Sequence, residues 1–383
     1  MLNLKIGIFT FRQYPYVSAN VAIGVTLAEQ LRDNHGAEVI SIAIKQDEKQ
    51  DEVNEFKNIP IRFLNDKIKN PGRIENKMQA ILGQKAFLHN EAKALKRIVI
   101  EEKIDMLVSV IAPIQVAYIT ELAKLDIPWY IYQLDPFYNV GDIENQKLKE
   151  DFISIMNKTN HLFTTDLLYD IYKQDEKIKP FIDKMSIVEF PKLEDRTVTA
   201  VTEDKDKDSV LLYSGSLYKK IRNPKILLEL KNSLPDECIV RFLGACDDKA
   251  DDKMLKEGGL DCWGYSKPQT VEEQLNNADF LINIGNTVRN QLGSKLIEYI
   301  STGKPIINIY QYDNCVTSKV LDKYKYKFDV SSKDLCKPEI KEQLKEFVLN
   351  LAGKTESYEE ILKDYYDYTP ECVGNIFAKT MNI

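Results

Sequence analysis

Short apolar runs alternate along the chain with stretches of helical period. LKIGIFTF, near the start, reads as a buried strand, RQYPYVSAN as a polar-aromatic loop, and VAIGVTLAEQLRDN as an amphipathic helix. AEVISIAI is the next strand, so the chain opens as a βαβ unit. Residues 45–58 read as a charged loop. Residues 75–103 read as one long helix carrying Lys77, Lys85, Lys93, Lys96, Arg97 and Lys103. DMLVSVIA and PWYIYQLD are further strands around the helix PIQVAYITELAKL, and HLFTT and SIVEF finish this half. Residues 192–208, KLEDRTVTAVTEDKDKD, carry no sustained apolar period and read as a linker.

The pattern then restarts. VLLYSG, CIVRFLG, GLDCWGY, DFLINIG and PIINIY read as strands. NPKILLELKNSL, PQTVEEQLNNA and GSKLIEYIST read as helices between them, and residues 336–352 and 356–381 as closing helices. Alternation in both halves predicts an α/β protein with two doubly wound, Rossmann-like domains. The expected boundaries are 1–191 and 209–365, with a tail at 366–383. Ligands in such sheets bind beyond the carboxyl ends of strands, so the loops that follow strands hold the candidate chemistry.

Composition narrows the classes. The chain has 383 residues, 44% hydrophobic and 29% charged, which is an ordinary globular balance. A net charge of −7 argues against nucleic acid as partner. The first apolar run is short and broken by Lys5, so no signal peptide is expected, and no run reaches membrane-spanning length. Six cysteines without C-x-x-C spacing read as reduced, mostly core thiols, and three scattered histidines make a zinc site improbable. A cytoplasmic location follows. The cations of 75–103 have two readings: a solvated helix face, or peripheral contact with the anionic inner face of a membrane.

NQLGSKLIEYISTGKPIIN, Asn290 to Asn308, is the densest stretch. On a helix from Leu292 to Ser301, residues Leu292, Leu296, Tyr299 and Ile300 share one face, and Ser294, Lys295 and Glu298 lie on the other flank. A helix start at Gly293-Ser294 with Lys295 beside it suits a phosphate, and Glu298 could accept two ribose hydroxyls. The plainer reading is a capping serine and a solvated Lys295–Glu298 pair worth about 0.2–0.5 kcal/mol.

GSKLIEYISTGKPII resembles the PSKLFEYLAAGKPII signature of retaining glycosyltransferases of the GT-B fold, close to glycosyltransferase family 4. LLYSGSLYKKIRNP, RFLGAC, CWGYSK and NNADFLINIG follow the family's order in the second half. The first half fits only by pattern. The resemblance implies two Rossmann-like domains with a cleft between them, and a final helix returning to the first domain. It implies sugar transfer from a nucleoside-diphosphate sugar, UDP-linked, to a saccharide or lipid-linked saccharide in surface polysaccharide synthesis, with no cofactor and no metal. Gly215 and Ser216 would admit the diphosphate to the backbone. Arg222, with Lys219 or Lys220, would neutralise it, beside Ser294, Lys295 and Glu298. Gly264 and Tyr265 would lie beside the base, and Asn286 and Thr287 near the donor sugar. Each also has a plain reading as a turn or helix-start residue. Asn290 occupies the position of the family's first glutamate in E-x(7)-E and cannot stabilise developing positive charge. Gly293 replaces the common proline. In the first domain, Tyr14, Tyr16, Ser18 and Asn20 follow the first strand and would face the acceptor. Asp135 would hydrogen-bond the acceptor hydroxyl as a catalytic group alongside Asn290, or it caps the turn before Pro136.

Asp204–Asp208 offers D-x-D spacing, but inside a polar linker and not after a buried strand. Neither G-x-G-x-x-G after the first strand nor a P-loop motif occurs. A sugar-nucleotide 2-epimerase of the same architecture and a non-catalytic GT-B binding subunit remain as rivals. Scarce histidine weighs against the first, and Asn290 favours the second.

Overall fold

The computed structural model describes residues 4–16, 18–50, 52–64, 84–140, 143–196 and 208–383. Contacts divide the chain into two units. Unit 1 joins residues up to Asn139 and Ile143–Lys192 to Asp367–Ile383, and unit 2 is built from Leu193–Tyr366.

Unit 1 carries strands β1 (Lys5–Thr10), β2 (Glu38–Ile44), β3 (Glu55–Phe56), β4 (Ile59–Leu64), β5 (Met106–Val110), β6 (Trp129–Gln133), β7 (His161–Thr164) and β8 (Met185–Ile187). Their order is β8-β7-β6-β5-β1-β2-β4-β3, parallel except for the β3–β4 pair. Helices α1 (Ala19–Asp33), α2 (His89–Glu101), α3 (Gln115–Ala123), α4 (Gln146–Met156) and α5 (Asp166–Gln174) connect them. Central strands β1, β5 and β6 are almost wholly buried, which is why they read as unbroken apolar runs.

Unit 2 carries β9 (Ser209–Ser214), β10 (Cys238–Leu243), β11 (Asp261–Gly264), β12 (Phe280–Ile284), β13 (Ile306–Tyr310) and β14 (Lys327–Ser331). All pair in parallel in the order β11-β10-β9-β12-β13-β14. Its helices are α6 (Lys225–Lys231), α7 (Lys249–Glu257), α8 (Pro268–Asn277), α9 (Lys295–Ile300), α10 (Val316–Leu321), α11 (Pro338–Leu351) and α12 (Tyr358–Tyr365). A polar ladder fixes the register of three strands. Asn283 donates to Asn308, directly opposite, at 2.7 Å, and fully buried Asn308 donates on to Asp329. A slip of one residue would leave these groups unpaired.

The chain returns to unit 1 through α13 (Pro370–Met381). Thr369 caps this helix by accepting from Cys372 N–H at 3.1 Å. Phe377, fully buried, stacks on Phe163 with ring centroids 3.7 Å apart and meets Tyr132 edge-on.

Several elements differ from the sequence expectation. The region 45–58 includes a 3₁₀ turn at Glu48–Gln50 and the strand β3. Regular helix in 75–103 spans His89–Glu101 behind a 3₁₀ turn at Gln84–Phe87, and the expected part up to residue 83, with Lys77, lies outside the described residues. Its cations are partly consumed: Lys85 pairs with buried Glu121 at 2.5 Å, Lys96 donates to the Lys124 carbonyl at 3.1 Å, and Arg97 lies 4.0 Å from Glu101. The helical run at 356–381 breaks at Thr369-Pro370, because proline opens a helix and cannot continue one. Of the expected linker, 197–207 lie outside the described residues. Leu193 is fully buried and Glu194 N–H donates to Ser301 at 3.3 Å, so the stretch is anchored at its start. Three of the six cysteines are buried, whereas Cys246 and Cys262 are half-buried and Cys336 is exposed. Among the described residues no helix is long and apolar enough to cross a membrane.

Candidate functional site

Strand order in unit 2 reverses between β9 and β12. In an open parallel sheet the loops leaving such a pair diverge to opposite faces and open a crevice. Here those loops are residues 215–224 and 285–294, and most of the candidate donor residues fall on them.

The end of β9 is held from α9. Tyr299, buried, accepts the Ser214 N–H at 3.0 Å, and its oxygen lies 3.2 Å from the Ser214 carbonyl, to which it can donate. Burial pushes its phenol well up, so it stays a neutral clamp. Lys295 donates from Nζ to Ser214 Oγ at 2.9 Å, which lays its side chain along the β9 terminus. Gly215 follows with φ of 149°, a value favouring glycine, and donates to Leu243 O at 2.8 Å. Gly244 is required for a separate reason: a Cβ there would stand 1.9 Å from Gly215 O. Gly244 N–H then donates to Gly264 O at 2.9 Å, so the ends of β9, β10 and β11 are drawn together through backbone alone.

Arg222 is fixed at the mouth of this crevice. Its Nε donates to Asn286 Oδ1 at 2.7 Å, which joins the loop after β9 to the loop after β12. A Cβ on Gly293 would approach Arg222 Nη2 to 3.1 Å. The departure from proline at this position therefore leaves room for the guanidinium. Burial raises the pKa of Tyr213, and the facing Arg222 opposes that rise; the Tyr213 hydroxyl donates to Ser216 O at 3.3 Å. Thr287 tightens the same junction, with Oγ1 donating to Lys220 O at 2.9 Å and N–H to Ile221 O at 3.1 Å. Asn286 and Asn290 are both buried, and Asn286 Nδ2 donates to Gln291 O at 3.4 Å.

Lys295 thus lies along Ser214 and Gly215 at the end of β9, while Arg222, Asn286 and Thr287 join the loop after β9 to the loop after β12, with Ser216 and Asn290 on the same two loops. Lys219 and Lys220 are exposed, and the Lys220 contact is through its carbonyl. Tyr265 is 91% exposed, and no contact brings it to the others. The α9 helix is shorter than the sequence suggested. Ser294 has helical φ and ψ (−57°, −23°) and its side chain caps nothing, because capping needs an extended residue there. Glu298 lies half-buried one turn along the helix from Ser294 and Lys295. Gly244 and Gln311 join the site unannounced: the first was visible only as the glycine ending CIVRFLG, and the second gave no signal in sequence.

In unit 1 the order reverses between β1 and β5. Asn20, in the first turn of α1, donates to Ala112 O in the loop after β5 at 3.2 Å. Ser18 caps α1, accepting from Val21 N–H at 3.4 Å, and the Tyr16 hydroxyl donates to Asp47. Tyr14 stacks on Phe56 at 4.6 Å, while buried Gln50 donates to the carbonyls of Gln13 and Tyr14 at 2.9 and 3.2 Å. The loop is therefore clamped, with the Tyr16 and Ser18 oxygens engaged inside the unit. Asp135 follows β6, separated from β1 by β5, and its carbonyl accepts from Gln133 Nε2 at 2.8 Å.

No family model and no curated protein sequence matches the chain. Solved structures do match over nearly its whole length. The lipopolysaccharide outer core galactosyltransferase WaaB, in its apo form, superposes with a TM-score of 0.63 at 13% identity, covering 99% of each chain. Sucrose-phosphate synthase from Thermosynechococcus elongatus gives a TM-score of 0.69 at 11% identity, over 99% of this chain and 98% of that one. Anabaena Alr3699/HepE in complex with UDP-glucose gives 0.63 at 10% identity, over 99% of each. The fold is GT-B. Both doubly wound units correspond to the Rossmann-like domains of that architecture.

Proposed function

We propose that this GT-B chain is a glycosyltransferase that moves a sugar from a UDP-linked donor to a saccharide or lipid-linked saccharide, with retention at the anomeric carbon, in surface polysaccharide synthesis. The observation that carries the reading is the pairing of Arg222 and Lys295 with a glycine-lined backbone at the reversal point of unit 2. Two cations at a strand-end crevice suit a diphosphate, and Gly215 lets phosphate oxygens reach main chain. Glu298 is assigned to the ribose hydroxyls. Fixed cations beside the leaving diphosphate stabilise the charge that develops as the glycosidic bond breaks, without need of a metal. The likeness to a protein solved with UDP-glucose agrees with this donor class.

Calorimetric titration of UDP in excess EDTA tests the donor site; saturable binding is expected, and no heat at millimolar UDP overturns it. NMR of the first-formed product anomer tests retention. Asn290, buried where the family pattern carries glutamate, supports a second reading as a non-catalytic donor-binding subunit. UDP binding without turnover of donor in the presence of acceptor would select that reading.

A further inference from the structure

Gln311 is the residue immediately after β13, and its side chain reaches back across the reversal point. Its Nε2 donates to Ile221 O at 2.7 Å and also to Gly285 O. Both partners are carbonyls, so only the amide nitrogen can face them, and its two hydrogens are both used. Ile221 O also accepts the Thr287 N–H at 3.1 Å, which occupies its second lone pair.

The residues it holds are the immediate neighbours of the functional pair. Ile221 precedes Arg222, Gly285 precedes Asn286, and Arg222 Nε donates to Asn286 Oδ1 at 2.7 Å. One side-chain amide therefore ties together the two backbone points from which the guanidinium and its partner project. Its own position is set by the sheet: Gly285 N–H donates to Ile309 O at 3.0 Å, and the ladder through Asn283 and Asn308 fixes the alignment of β12 with β13. Among the described residues the loop after β9 has no ladder partner on this side, and Gln311, Thr287 and the Arg222 side chain hold it to the loop after β12.

We infer that Gln311 is a positioning residue for diphosphate recognition, acting through Arg222. It does not touch the nucleotide itself; it holds the guanidinium at one angle so that binding does not have to order the loop. This inference rests on the donor site assigned above. A misplaced cation weakens the diphosphate contact and leaves the nucleoside contact untouched.

The experiment is calorimetry with UDP and with uridine on the parent, Gln311→Leu, Arg222→Ala and the double variant, each checked for fold by circular dichroism. Gln311→Leu is expected to weaken UDP by about tenfold and uridine by less than about twofold, with the double variant no weaker than Arg222→Ala. Equal weakening of UDP and uridine, or additive losses in the double variant, overturns the role of Gln311 while leaving the donor site in place. Absence of UDP binding by the parent overturns both. If Gln311→Leu does not fold, Gln311→Met carries the same comparison, and failure of both to fold makes Gln311 a structural residue and ends the inference.

Discussion

Glu189 lies beyond β8, where the chain is about to leave unit 1. It is 8% exposed, and its Oε1 accepts the Asp166 N–H at the start of α5 at 2.9 Å. Burial pushes its carboxyl up from 4.5 to about 7; the Asp166 N–H opposes this, and the charges of Asp166 and Asp367 add to it. The unfolded chain releases this proton near 4.5, whereas the native protein holds it until about 7. The resulting stabilisation is therefore fully present below pH 4.5 and is lost as pH rises through about 7. The difference between the two values amounts to about 3 kcal/mol. Glu189→Gln keeps an oxygen for the Asp166 N–H and removes the ionisation. The variant should match the parent near pH 4.5 and exceed it at pH 8 by that amount, about 6–12 °C in melting temperature for a unit of this size. Thermal melts of both proteins across the range give the comparison directly, since every other titrating group is common to them. Parallel curves at all pH values would refute the burial argument.

Gly244→Ala places a methyl against Gly215 O, a backbone atom that cannot yield cheaply. It should cost about 1–3 kcal/mol and abolish most UDP binding, measured by melts and calorimetry. Glu298→Gln should weaken UDP by about tenfold with little change in melting temperature, since a charged hydrogen bond is worth about 1.5–3 kcal/mol. Lys295→Ala should weaken UDP and spare uridine; equal affinities of parent and both variants would move the donor site elsewhere.

The periodicity of buried strands and their connecting helices was legible because both central sheets are parallel and covered on two faces, so β1, β5, β12 and β13 appear as apolar runs. Two elements with little apolar surface were not. In β14 only Val330 is buried, and α7 buries only Asp251 and Leu255. Neither segment carries enough apolar surface to announce itself. The site divided in the same way. Gly215, Arg222 and Lys295 stand in the local patterns that made them candidates, while Gln311 enters only because two carbonyls 90 and 26 residues away arrive at its amide. Tyr265, which the resemblance put beside the base, follows a turn made by the positive φ of Gly264, and its ring is exposed.

The return of α13 to unit 1 inverts the order in which the molecule can be completed. Phe377 fills the space beside Phe163 and Tyr132, and Gly374 lets α13 lie close on Gln30 of α1. A ribosome has to make all of Leu193–Tyr366 before these groups exist. Unit 2, essentially one continuous segment, can close while synthesis continues, whereas the earlier-made unit waits with aromatic surface uncovered. The first half to be translated is therefore the last to finish folding, and a chain halted at Tyr366 should carry a finished unit 2 beside a unit 1 that chaperones still recognise.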